Sequence, residues 1–348
     1  MGRVKDYITN SPAEIWRGLK PVALITRDSR GHFWSIFLAL RACLCILRAR
    51  LNGTLALVHV NTGDRGSSVR KGAIVLFCKM LGVPVFLHFH AVTFERDMKR
   101  IPPWLHWLVR LPFRNATCVI LLGERWRRWM HDQMGVARDR LEILINGVPV
   151  DSPDNRQHVN GDAPLNILFL GSLGERKGVS DLIGALTQVP QTGAGWRACF
   201  AGNGDIARYS AAAQRAGLGD KISFPGWVGQ TDALALVSAA DLMVLPSYDE
   251  GLPLIILEAI GLGTPMVTTP VGAIPEVLTD GEDVIFCPPG DQAALAAAIT
   301  RLLADAPLRQ SLCDNGIKSF RQRFSVEVFR ANLLAIWERY THRSLPAA

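Results

Sequence analysis

Glu250 and Glu258 lie eight residues apart in the segment Ser247-Tyr248-Asp249-Glu250-Gly251-Leu252-Pro253-Leu254-Ile255-Ile256-Leu257-Glu258-Ala259, with the apolar run Leu254–Leu257 between them. A carboxylate in such a run needs a charged partner or a ligand hydroxyl. The apolar stretch Leu242–Leu245 just before reads as a strand, and Pro253 suits the first turn of a helix, where its missing N–H is no loss. Free backbone amides at that turn, helped by the helix dipole, make an anion site with Glu250 at its mouth. Helical spacing carried through from Glu250 puts Glu258 about 80° around, so both acids border one cleft. The plainer reading is a dipole-favoured Glu followed by a salt-bridged one. Agreement with the motifs below favours ligand chemistry.

A second segment, Phe169-Leu170-Gly171-Ser172-Leu173-Gly174-Glu175-Arg176-Lys177-Gly178, joins another apparent strand to a helix. Arg176 and Lys177 bring positive charge to a helix start, an unfavourable place unless an anion binds there. The segment is neither a Walker A loop nor a G-x-G-x-x-G dinucleotide loop. Ala201-Gly202-Asn203-Gly204-Asp205 is a further strand-to-helix turn. In the first half, His88 and His90 share one face if their strand continues that far. A metal pair there has no third ligand in the neighbouring sequence.

The acidic segment resembles the E-x₇-E motif of glycosyltransferase family 4, including its Gly-Leu-Pro core and the Glu258-Ala259 that follows. The resemblance runs from about Pro21 to Tyr340 and is strongest over residues 165–290. It implies the GT-B fold, a nucleotide-diphosphate sugar donor and retaining, metal-independent transfer with no cofactor. By the same resemblance, Glu250 contacts the donor sugar and Glu258 the ribose. Gly171, Ser172, Arg176 and Lys177 form the diphosphate loop, with Lys177 six residues after the Gly. Many members carry Arg directly after that Gly; here Ser172 takes the place. Gly202 lies near the nucleotide, and Gly251, Leu252, Pro253 and Leu254 complete the donor site. His90 fits the family's strand-end His near the sugar, and His88 is read as structural. His90, Glu250 and Lys177 are thus the expected catalytic groups, and no residue is assigned to a metal.

These motifs need a scaffold that presents strand ends, and the patterning supplies one. In the first half, strands are expected at Pro21–Thr26, Ala56–Asn61, Val85–His88, Cys118–Leu122 and Leu141–Ile145, with helices Phe33–Arg50, Val69–Leu81, Pro103–Leu111 and Arg125–Met134 between them. The polar segment Gly147–Pro164 reads as a linker. Strands then recur at Asn166–Leu170, Ala198–Ala201, Lys221–Phe224, Leu242–Leu245, Met266–Thr269 and Val284–Cys287. The alternation implies an α/β chain of two Rossmann-like domains facing across a cleft. Residues 1–150 are the expected acceptor domain and residues 151–325 the nucleotide-sugar domain, with the helix in 326–348 packing back on the first. Relative to the family, the first domain lacks an opening strand and Gly-rich loop.

Composition bounds the partners. Residues 1–150 carry 23 Lys and Arg against 10 Asp and Glu, a net of +13, whereas the rest of the chain is net −6. With the aromatic stretch Arg100–Leu111, this points to an anionic membrane surface, which places the protein in the cytoplasm and at the inner face of the plasma membrane. No nucleic-acid motif is present. The seven cysteines lie mostly in apolar runs and read as reduced core thiols. The expected activity is transfer of a hexosyl group to a lipid-linked or polysaccharide acceptor. Two alternatives stay open: a non-catalytic protein binding nucleotide sugar or membrane, and a sugar-nucleotide 2-epimerase.

Overall fold

A computed structural model describes residues 2–27, 31–63, 66–91, 93–154, 156–157, 163–191, 193 and 195–341. The chain divides into two compact units, Met1–Asn146 with Val326–Ala348, and Gly147–Ser325.

In the first unit, four parallel strands pair in chain order: β1 (Val58–Thr62), β2 (Val85–Phe89), β3 (Cys118–Leu121) and β4 (Leu141–Ile143). Residues of β2 and β3 are buried throughout, which is why they read as unbroken apolar runs rather than as alternation. Helices α1 (Gly2–Thr9) and α2 (His32–Leu51) precede the sheet, and α3 (Gly66–Met80), α4 (Phe94–Lys99), α5 (His106–Asn115) and α6 (Glu124–Asp132) occupy the crossovers. The expected strand Pro21–Thr26 does not form. Its residues are irregular, with Val22, Leu24 and Ile25 exposed, and no described strand pairs with them. Local β preference without a ladder partner does not make a strand.

The second unit holds a six-stranded parallel sheet in the order β10-β9-β8-β5-β6-β7. Its strands are β5 (Leu165–Leu170), β6 (Trp196–Ala201), β7 (Ile222–Gly226), β8 (Leu242–Leu245), β9 (Met266–Thr268) and β10 (Ile285–Phe286). Helices α7 (Val179–Leu186), α8 (Ile206–Arg215), α9 (Gln230–Ala239), α10 (Leu254–Gly261), α11 (Ile274–Val277), α12 (Gln292–Ala304) and α13 (Ala306–Ser319) complete it. Asp205, Asp291 and Asp305 cap α8, α12 and α13 by accepting from Arg208, Ala294 and Leu308 N–H at 3.2, 2.9 and 2.9 Å. Asp305-Ala306-Pro307 supplies the start signal of α13, with Asp305 as N-cap and a proline in the first turn.

Part of the polar linker segment, residue 155 and residues 158–162, lies outside the described residues. The rest is not a free tether. Arg156 donates to Leu262 O and Thr264 Oγ1, both at 2.8 Å, and to Ala240 O at 2.5 Å. Val148 bridges to Ser325 where the chain leaves the unit. Helix α14 (Val326–Thr341) then rejoins the first unit. There Trp337 packs on Trp16 with ring centroids 5.0 Å apart, and Tyr340 donates to Glu142 Oε1 at 3.0 Å.

Candidate functional site

The order of the second sheet identifies its ligand crevice without reference to any motif. From β5 the chain adds β6 and β7 on one side, then returns to add β8, β9 and β10 on the other. In open α/β sheets, ligands bind beyond the strand ends at such a reversal. The loops there, after β5 and β8, are those holding Gly171–Gly178 and Pro246–Pro253.

The two loops are bound together. Tyr248 N–H donates to Arg176 O at 2.9 Å, and Arg176 Nη1 donates to Asp249 O at 2.5 Å. Glycine is required at both flanks. Gly178 has φ +69°, and a Cβ there would lie 2.1 Å from Pro246 O. Gly272 has φ +61°, and a Cβ there would lie 1.9 Å from Glu250 O. L-residues disfavour this region and have no room in either place.

Within this frame, Lys177 donates to Glu250 Oε1, and Arg176 Nη1 stands 3.8 Å from Glu250 Oε2. Glu250 is 8% exposed and Lys177 14%, so the pair is largely withdrawn from water. Arg176 is half exposed. Residues 73 apart in sequence, expected to meet different parts of a donor, thus meet each other first.

The expected helical relation between the acids does not hold. Helix α10 begins at Leu254, with Pro253 as its N-cap, so Glu250 stands outside the helix. Its position comes from the loop. Glu258 is in the helix and 1% exposed. Leu252 is buried, and Gly251 O accepts from Ala273 N–H at 2.9 Å. On the other side, Gly171 N–H donates to Ala201 O at 3.0 Å, Gly202 N–H to Gly226 O at 2.8 Å and Leu173 N–H to Asn203 O at 2.6 Å. Ser172 remains exposed. Every expected donor-site residue of the second unit therefore lies on the β5, β6 or β8 loops or in α10.

His90 belongs to the first unit and follows β2 directly. It is half-buried, its N–H donates to Thr62 O at 2.9 Å, and its Nε2 lies 3.1 Å from Asn61 Oδ1. Its ring packs at a 36° tilt against that of fully buried His88, with centroids 4.0 Å apart, and His88 meets His59 edge-on at 5.4 Å. Burial, more than the neighbouring charges, holds His90 down at about 3, and burial holds His59 at about 4, below the usual 6.5. Burial likewise pushes His88 far down. All three rings are neutral near pH 7. No group of three or more His, Cys, Asp or Glu among the described residues could hold a metal ion. Asn61 and His59 escaped sequence reading. Parallel register brings Asn61 opposite His88, and alternation puts His59 on the same face.

Comparisons with known proteins agree with this geometry. Residues 17–147 match the family Glycosyl transferase 4-like domain, and residues 151–319 match Glycosyl transferases group 1. An alpha-D-kanosaminyltransferase of Streptomyces kanamyceticus is 26% identical over 91% of this chain and 87% of its own. A phosphatidyl-myo-inositol mannosyltransferase of Mycobacterium leprae is 33% identical over 63% of this chain, and the match spans 58% of its length. HepE of Anabaena, solved in complex with UDP, superposes with a TM-score of 0.71 at 18% identity, over 87% of this chain and 82% of that one. With adjoining halves matching the two domains and both sheets in place, the chain belongs to the group 1, family 4-like glycosyltransferases of GT-B fold.

Proposed function

We propose that the protein is a retaining, metal-independent hexosyltransferase. It moves a sugar from a nucleoside-diphosphate donor to a lipid-linked or oligosaccharide acceptor in polysaccharide biosynthesis. The observation that carries this reading is the cluster of Lys177 and Arg176 on Glu250 at the reversal of the second sheet. Two cations share one carboxylate there, so the loop has positive charge in reserve for a diphosphate.

In this reading, Gly171, Ser172 and Gly202 let the donor approach the backbone, and Lys177 and Arg176 meet the leaving diphosphate. The amides of Gly251, Leu252 and Leu254 add preorganised dipoles where negative charge develops. Glu250 turns to the sugar hydroxyls as its cations engage phosphate, Glu258 holds the ribose, and His90 contacts the sugar. The names of relatives support a glycan or lipid-borne acceptor. One is a phosphatidyl-myo-inositol mannosyltransferase and another a lipopolysaccharide core biosynthesis glycosyltransferase of Rhizobium meliloti.

The first unit would take the acceptor at an anionic membrane surface of the cytoplasmic face. Trp104 and Trp107 are 71% and 60% exposed. Helix α2, which has no acidic residue, exposes Ile36, Phe37, Leu40 and Leu44 among Arg41, Arg48 and Arg50. Apolar side chains among arginines suit the headgroup boundary of anionic lipid. No helix among the described residues is long and apolar enough to cross a membrane.

Calorimetric titration with UDP, GDP and ADP tests the donor site. One nucleotide should bind, and Glu258→Ala should weaken it about tenfold, the worth of a charged hydrogen bond. Failure of all three to bind would overturn the reading.

A further inference from the structure

The face of β1 that carries Asn61 also carries His59, and the polar contacts there run in one direction. Trp337 Nε1–H donates to His59 Nδ1 at 3.3 Å. An indole nitrogen only donates, so His59 must accept at Nδ1, and the neutral ring keeps its proton on Nε2. His59 Nε2 makes no hydrogen bond among the described residues. The Asn61 side chain presents its carbonyl oxygen to His90. That oxygen is 3.1 Å from His90 Nε2, and an oxygen can only accept. His90 must then carry its proton on Nε2.

The remaining ring nitrogen, His90 Nδ1, makes no hydrogen bond among the described residues. His88, whose ring packs against that of His90 at a 36° tilt, has no hydrogen-bond partner among them for either nitrogen. We infer that Asn61 is a positioning residue. Through its side-chain oxygen it fixes His90 as the Nε2–H tautomer and leaves Nδ1 to act as a hydrogen-bond acceptor for a ligand. This rests on the proposed role of His90 in the donor site. It specifies that role: a neutral Nδ1 lone pair accepts a hydrogen bond from the ligand and gives none. Lowering of the ring's proton affinity by burial agrees, because an imidazolium would have no lone pair to offer.

The test combines a tautomer readout with kinetics on the full chain. Histidine ¹⁵N–¹H long-range correlation spectra of the wild type should show His90 protonated at Nε2 alone. Asn61→Ala should populate the Nδ1–H form and lower kcat about tenfold, with the KM for the nucleotide sugar that turns over little changed. Asn61→Asp keeps an oxygen facing the ring. It should restore the Nε2–H form and raise the proton affinity of His90, which shows as a shifted acid limb of the pH–rate profile. It also serves if the alanine variant does not fold. His90→Ala separates the two claims. If it leaves turnover intact, the proposed role of His90 falls, whatever Asn61 does. If it abolishes turnover while Asn61→Ala changes neither tautomer nor rate, the positioning inference alone is wrong. A wild-type His90 protonated at Nδ1 would also overturn it.

Discussion

In the Gly147–Ser325 unit, the candidate site is charged: Lys177 and Arg176 gather on a nearly buried Glu250 between glycine-framed loops. In the other unit, it is neutral. His59, His88 and His90 pack ring on ring, with an asparagine and a tryptophan as their polar partners, although that half carries the excess positive charge. The contrast shows that net charge and site chemistry are separate properties. The basic half sets histidines that burial keeps neutral at its strand ends, with Lys71 half-buried beside His90. The acidic half concentrates two cations at one point. A charged site answers a ligand's charge, whereas a neutral site reads the direction of its hydroxyl groups.

The sharpest way to break this contrast is to strip one partner from the ion pair. Lys177→Ala leaves Glu250 buried with only the distant Arg176, and it should cost about 3 kcal/mol in chemical denaturation. Sugar-nucleotide turnover should fall at least 100-fold in the same variant. The paired change Lys177→Met with Glu250→Leu should recover most of the stability and none of the activity. Recovery of both would show the pair to be scaffold only.

Acid should expose the other side of the comparison. The buried histidines bind protons less readily in the folded than in the unfolded chain, with His59 near 4 and His90 near 3 against 6.5. Their contribution is therefore complete above pH 6.5 and is lost as pH falls toward 4 and then 3. The loss from His59 alone should be on the order of 3 kcal/mol. Seven of the nine tryptophans lie in the histidine-bearing unit, so intrinsic fluorescence reports chiefly on it. A His59→Gln variant with the same acid midpoint as wild type would remove His59 from this account.

The smallest effect is expected at Arg176. It is half exposed, so Arg176→Ala should change stability by less than about 1 kcal/mol. It should still weaken nucleotide binding several-fold at low salt, and the difference should shrink at high salt.

Sequence carried the second unit further than the first, for identifiable reasons. Leu242–Leu245 and its neighbours are short apolar runs cut by Gly and Pro, so local chemistry alone delimits them. The strand reading of Pro21–Thr26 rested on the same local chemistry and failed, because a strand also needs a neighbour. The motif residues were legible individually, but the bond between Lys177 and Glu250 spans 73 positions and belongs to the sheet order. The role of Asn61 was hidden for a similar reason, because only register with His88 brings it to the histidines.

The return of α14 to the first unit has a consequence for biosynthesis. Trp16 and His59 emerge from the ribosome early, yet Trp337, which packs on one and donates to the other, emerges only after the whole Gly147–Ser325 unit. Gly147–Ser325 is contiguous and can complete its sheet while translation continues, whereas the N-terminal unit must wait. During that interval its partly built core is open to chaperones. A stalled or C-terminally shortened chain would therefore keep a folded nucleotide half beside an unfinished one.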